Sequence, residues 1–205
     1  MAPMTARQPT EGPTNLPRIT VEVPVLHMGS APGAYESLGR YVESLRSQRG
    51  LHMTLLHLGF LDRLAGDIVA WTQGAVKPET AKIEIASWLR GLPRLDGFLG
   101  KSERLITLGG GRVSSLEITV PLVVHDYQTL LVQGLHVVLD DIGLDNIDDF
   151  ILSSPALGYR SPRWLPHVAV GKARSKHQEP IELETVALEF GPSRIRNEVA
   201  LPGVV

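Results

Sequence analysis

Two histidines head short apolar stretches in separate halves of the chain: His52 in Leu51-His52-Met53-Thr54-Leu55 and His167 in Pro166-His167-Val168-Ala169-Val170. Each stretch alternates polar or small residues with apolar ones, the period of a half-buried strand. His52 and Thr54 therefore share one strand face and His167 and Ala169 share another, while Met53, Leu55, Val168 and Val170 point the opposite way. If the two strands lie side by side in one sheet, both imidazoles project into the same cleft. Imidazole titrates near ~6.5, so at neutral pH one ring of such a pair can take a proton while the other gives one.

Strands that carry these histidines need a sheet to hold them, and the rest of the chain supplies its elements. Residues Met1 to Pro17 bear Pro3, Pro9, Pro13 and Pro17 among Thr, Gln, Glu and Gly, which predicts a flexible tail at 1–17 ahead of a single bilobed domain at 18–205. The β-branched run Ile19 to Leu26 predicts a strand, with Pro24 marking an edge or a bulge. Leu38, Tyr41, Val42 and Leu45 recur at helical spacing and predict a helix from Ala34 to Gln48, stopped by Gly50. After the His52 strand, helices are expected over Leu61 to Val76 and Pro78 to Leu92, the latter with Pro78 in its first turn. A strand pair, Phe98 to Leu108 and Ser115 to Val124, is expected to turn at Gly109-Gly110-Gly111. A helix from about Asp126 to Ile142 then leads into an irregular acidic stretch with Asp145, Asp148 and Asp149; the His167 strand and strands at Ile181 to Phe190 and Ile195 to Leu201 close the chain. This order reads as an α+β protein with two loosely similar halves.

Composition narrows the function classes. With 205 residues, 43% hydrophobic and 20% charged, the chain matches a globular protein able to bury a sizeable core. A formal charge of -2 and a pI near 6.4 provide no basic field for wrapping duplex DNA, though a small anionic substrate remains compatible. The absence of cysteine removes disulfides, thiolate zinc sites and thiol nucleophiles, and agrees with a reducing compartment. Neither an apolar run long enough to span a membrane nor a basic-headed signal peptide is seen, so the expected location is the cytoplasm of a bacterium or of a phage-infected host.

Rival constellations fail on particular grounds. Gly109-Gly110-Gly111-Arg112 lacks the Gly-Lys-Ser/Thr ending of a phosphate-binding loop, and no Gly-x-Ser-x-Gly elbow occurs. His52 and His57 are five apart, which is not the spacing of a zinc-binding helical pair. The acidic cluster of Asp140, Asp141, Asp145, Asp148 and Asp149 lacks the glycine and closing Glu of a calcium loop and reads as a solvated face.

His52-Met53-Thr54-Leu55, continued by Leu56-His57-Leu58-Gly59, resembles the repeated motif of the 2H phosphoesterase superfamily, and in particular its 2′-5′ RNA ligase-like, cyclic phosphodiesterase branch. The second copy, Pro166-His167-Val168-Ala169-Val170-Gly171-Lys172, has the leading Pro and the basic end residue, but Ala169 stands where Thr or Ser is expected. The resemblance spans roughly Arg18 to Leu201. It implies two pseudo-symmetric antiparallel sheets forming a central cleft, with helices on the outer faces. It further implies a hydrolase that needs no metal and no cofactor, in which His52 and His167 are the acid/base pair and Thr54 binds a phosphate oxygen. The implied substrates are a 2′,3′-cyclic phosphate, a 2′-5′ phosphodiester or a cyclic oligonucleotide, so the expected partner is a nucleotide, cyclic oligonucleotide or RNA end, and neither duplex DNA nor a membrane. Loss of the donor at position 169 can cost on the order of 10²-fold in rate. The alternative is a weak or inactive module that binds or sequesters a nucleotide or short RNA; a third reading makes both histidines ordinary buried strand residues. Sequence leaves open which phosphodiester is cleaved, which histidine is acid and which base, and the oligomeric state.

Further residues are weighed for substrate contacts. Lys172 matches the family's basic position, yet strict alternation places it opposite His167 unless the strand bends near Gly171. Tyr159 and Trp164 precede the second motif and suit stacking on a base, with core packing as the other reading of Trp164; Arg160 and Arg163 suit phosphates. His57 falls opposite His52 by parity and reads as packed or surface; His125 and His136 lie in or near a helix, and His27 and His177 in loops.

Overall fold

In the computed structural model, residues 18–29, 33–157, 164–175 and 179–202 are described. The chain is an α+β protein built on an antiparallel sheet of eight strands: β1 (Ile19–Met28), β2 (Val42–Leu45), β3 (His52–Gly59), β4 (Phe98–Leu108), β5 (Val113–Thr119), β6 (His167–Ala173), β7 (Ile181–Phe190) and β8 (Arg194–Arg196). Four helices accompany it: α1 (Leu61–Trp71), α2 (Pro78–Arg90), α3 (Leu122–Ile142) and α4 (Ile147–Ser153). The sheet runs β2-β6-β3-β1-β7-β4-β5, with β8 added beside β1, and a further pairing joins the last strand of that path, β5, to its second, β6. Strands from both halves of the sequence therefore become direct neighbours at β3 and β6.

Alternation along the strands separates two faces. Val21, Val23, Met53, Leu55, Leu116, Val168 and Val170 are buried with Leu64, Ile68, Leu131 and Leu135 of the helices in one apolar core, and α1 and α3 pack on β3. Polar residues of the same strands face the other way. Among the register shifts of the sheet, two bear on the site. Between β1 and β3 the register shifts so that Val21 pairs with Leu56 but Glu22 pairs with Thr54, which leaves Leu55 as the extra residue. Between β5 and β6, Ser114 pairs with Gly171 but Ser115 pairs with Ala169, which leaves Val170 extra.

Several expected elements take other forms. The segment expected as a helix over Ala34 to Gln48 is a 3-10 turn at Glu36–Arg40 followed by strand β2. A helix there would carry Gly39 in its interior, at a cost of about 1 kcal/mol, whereas β2 satisfies its backbone on the free edge of β6. Gly171 makes that pairing feasible, because a Cβ at this position would collide with the Ser44 carbonyl oxygen. The strand expected to run to Val124 stops at Thr119, and α3 starts a turn early, just after Pro121. The acidic stretch expected as irregular contains α4, whose first turn places Asp148 and Asp149 at the positive end of the helix. The last strand ends at Arg196, where Asn197 adopts a φ of 61° and turns the chain away. Gly109, Gly110 and Gly111 all have positive φ in the β4–β5 turn, as their lack of a side chain allows. No helix among the described residues is long and apolar enough to cross a membrane.

Candidate functional site

Met53 of β3 and Val168 of β6 are antiparallel partners. One step along each strand, the same register sets Thr54 opposite His167 and His52 opposite Ala169, all four on the face away from the core. Directly opposed side chains have Cβ atoms about 4.5–5.5 Å apart and diagonal ones about 7–8 Å, so the histidines flank the crossing with room for a small group between their rings. The four residues are partly exposed while Met53 and Val168 are fully buried, so the histidine face is the one open to a ligand.

Both imidazoles are anchored in the same manner. Nδ1 of His52 lies 3.0 Å from the carbonyl oxygen of Gly50, and Nδ1 of His167 lies 2.8 Å from that of Leu165, in each case two residues back. When Nδ1 donates to these carbonyls, Nε2 of the neutral ring is left as the basic nitrogen. Nε2 of His167 makes no hydrogen bond among the described residues. Nε2 of His52 lies 3.6 Å from Oε2 of Glu22, and Arg196 Nη2 lies 3.0 Å from its Nδ1. Arg196 can only donate, so its contact with Nδ1 and the Gly50 contact are alternatives that belong to different tautomers.

Glu22 is the hub of this side of the site. It is wholly buried on β1, directly opposite Thr54. Arg194 donates to Oε1 from Nε at 3.1 Å and from Nη2 at 2.9 Å, and Arg196 Nε lies 2.9 Å from Oε2, both arginines reaching from β8. Thr20 Oγ1 donates to the same carboxylate at 3.4 Å. A buried carboxylate is stable only with such partners. On the other flank Glu117 of β5 lies opposite His167, and its carboxylate is held by Arg104 Nη1 at 3.1 Å. The Glu22 carboxylate thus stands 3.6 Å from the His52 ring, while Glu117 neighbours His167 only through the strand register.

The other sequence candidates fall in distinct places. Trp164 is half-buried against the core; its indole N–H donates to the Thr54 carbonyl at 3.2 Å and its ring meets His125 edge-on at 5.4 Å. This couples the entry of β6 to β3. Lys172 is exposed, and the extra residue Val170 restores it to the side of His167, but its Nζ is engaged with Glu43 at 2.8 Å. Tyr159, Arg160, Arg163 and His177 lie outside the described residues. His57 corrects the parity expectation: the extra Leu55 places it opposite Thr20, on the side of His52, where burial foremost and Arg18 second push its pKa below the ordinary value. His136 lies 3.6 Å from Asp148, away from the site, and His27 is exposed near the end of β1.

No protein-family model matches the chain, and no curated protein does. Among solved structures, TT0787 of Thermus thermophilus is similar at 16% identity over 87% of this chain and 94% of that one, with a TM-score of 0.45. E. coli LigT complexed with 3′-AMP is similar at 16% identity over 88% and 94%, with a TM-score of 0.43. A structure described as a phosphoesterase gives the same identity and coverage, also at 0.43. These scores lie below 0.5, so the chemistry assigned to the cleft stands on its own residues.

Three residues of the site stand outside the sequence expectations: Glu22, Arg194 and Arg196. Glu22 interrupts an apolar strand and shares the alternate face with Thr20, while Arg194-Ile195-Arg196 alternates with two cations on one face; those patterns were the available signal. Ser115 borders the site without being open to it. It pairs with Ala169, is 0% exposed, and its hydroxyl has no hydrogen-bond partner among the described residues.

Proposed function

We propose that this chain is a metal-independent 2H-type phosphodiesterase acting on a 2′,3′-cyclic phosphate, a 2′-5′ linkage or a cyclic oligonucleotide. The pairing of Met53 with Val168 carries the reading, because it brings two histidines and Thr54 from distant parts of the chain onto one open face. Hydrolysis of a cyclic phosphate needs one group to take a proton from water and one to give a proton to the departing ribose oxygen. His167, with Nδ1 tied to Leu165 and Nε2 unoccupied, is the base. We assign His52 as the acid: Gly50 O and Glu22 Oε2 stand as acceptors beside its two nitrogens, and the Arg196 contact with Nδ1 gives way when Nδ1 carries a proton. The water oxygen bonds to phosphorus, the bond from phosphorus to one ribose oxygen breaks, and that oxygen takes the proton of His52. His167 ends protonated, and proton exchange with solvent resets the pair.

Thr54 donates to a phosphate oxygen as negative charge develops there. Ala169 has no donor to offer on its side, and Ser115, across the β5–β6 pair, is wholly buried and out of reach of a ligand there. The test is turnover of 2′,3′-cyclic mononucleotides, 2′-5′-linked oligonucleotides and cyclic di- and trinucleotides in EDTA. Turnover of one class supports the reading and names the substrate. Retention of a ligand without turnover favours a binding module, and neither turnover nor retention overturns both.

A further inference from the structure

We infer that an open groove at the far end of β6 is a second phosphate subsite, so that the preferred substrate is an oligonucleotide rather than a mononucleotide. This rests on the proposed phosphodiesterase reading and adds to it. The groove has a volume of about 280 Å³ and is lined by Ser44, Arg46, Arg112 and Lys172, with Leu45, Val113 and Gly171 as its floor. Lys172 follows Ala169 by three residues, which at strand rise places the groove about 10 Å from the histidine crossing. The reset of alternation at Val170 turns Lys172 to the side of His167, so groove and cleft share a face.

Three cations line this groove. Lys172 is balanced by Glu43 at 2.8 Å. The guanidinium groups of Arg46 and Arg112 are exposed and make no hydrogen bond or ion pair among the described residues. Their backbones are nevertheless fixed. The Arg46 N–H donates to Val170 O at 2.8 Å, and its carbonyl accepts from the Tyr35 hydroxyl at 2.7 Å. The Arg112 N–H donates to Leu108 O at 3.1 Å, and its carbonyl accepts from Ala173 N–H at 3.0 Å. Two uncommitted guanidinium groups on pinned backbones, with Ser44 in the same lining, form a fork suited to phosphate oxygens. Sequence-independent phosphate contact of this kind gives affinity that rises with substrate length and falls with salt.

The test compares kcat/KM for 2′,3′-cyclic AMP with that for di- and tetraribonucleotides ending in a 2′,3′-cyclic phosphate, in wild type and in the double variant Arg46→Gln/Arg112→Gln. Wild type is expected to favour the tetranucleotide at least tenfold, on the order expected for two phosphate contacts. The double variant should lose that preference while turning over cyclic AMP within twofold of wild type. In parallel, fluorescence anisotropy with a 5′-labelled tetraribonucleotide ending in a 3′-phosphate should show the slope of log affinity against log salt reduced by about 1.4 in the double variant, about 0.7 per lost single-strand contact. Cyclic AMP turnover without any length preference, or a preference that survives in the double variant, overturns the subsite and leaves the phosphodiesterase intact. If nothing is turned over, the phosphodiesterase reading fails instead, and an unchanged salt slope in the binding assay then overturns the subsite on its own.

Discussion

Replacing Glu22 by Gln removes one negative charge from a wholly buried position while nearly preserving shape. Three guanidinium N–H contacts end on this carboxylate, at 2.9, 2.9 and 3.1 Å. A charge-assisted bond contributes about 1 kcal/mol more than a neutral one, which sets the loss at about 3 kcal/mol. Arg194 and Arg196 are 54% and 39% exposed, so water recovers part of their solvation, and the expected loss is about 2 kcal/mol. For a domain of this length that lowers the melting temperature by roughly 4–8 °C. Urea unfolding of wild type, Glu22→Gln, Arg194→Ala and the double variant measures it. The midpoint should fall at constant m-value, and the double-mutant cycle should return a coupling of about 1 kcal/mol or more. A Glu22→Gln midpoint equal to wild type, or additive single and double variants, would refute the hub assigned to Glu22.

Other outcomes follow from neighbouring positions. The pKa of His57 is lowered on folding, so the unfolded chain binds more protons and stability falls as pH drops from about 6.5 toward the folded value; His57→Gln should lose less stability over that window in pH-dependent urea melts, and parallel losses in both proteins would count against the assignment. Gly171→Ala should drive β2 from β6 and cost about 3 kcal/mol or prevent folding, whereas Gly39→Ala, which meets open space, should stay within about 0.5 kcal/mol by the same chemical-denaturation assay. Thr54→Ala should lower kcat on the order of 10²-fold with the fold intact by circular dichroism; a Thr54→Ala enzyme as fast as wild type removes Thr54 from the reaction.

The period-2 patterns around His52 and His167 were enough to place each on a strand with its apolar neighbours inward. The fold class followed from the order of strands and helices. Parity failed where a single extra residue entered a strand, at Leu55 for His57 and at Val170 for Lys172, since a bulge leaves no mark on hydrophobic alternation read over so few residues. The segment around Val42 has the apolar spacing of a helix, and the partner that makes it a strand, the edge of β6, lies far along the chain. The same distance hid the site's electrostatics. Glu22 and Arg194 are separated by 172 residues, and only the pairing of β1 with β8 joins them.

The central claim is that His52 and His167 act as one acid/base pair across the β3–β6 junction. It is tested most directly by kcat in EDTA for His52→Ala, His167→Ala and the double variant on whichever substrate wild type turns over. Loss of about 10²–10⁴-fold in each single variant, with the double variant little slower than either, is the expected result for two groups serving one step. A single variant that retains wild-type turnover would contradict the pairing.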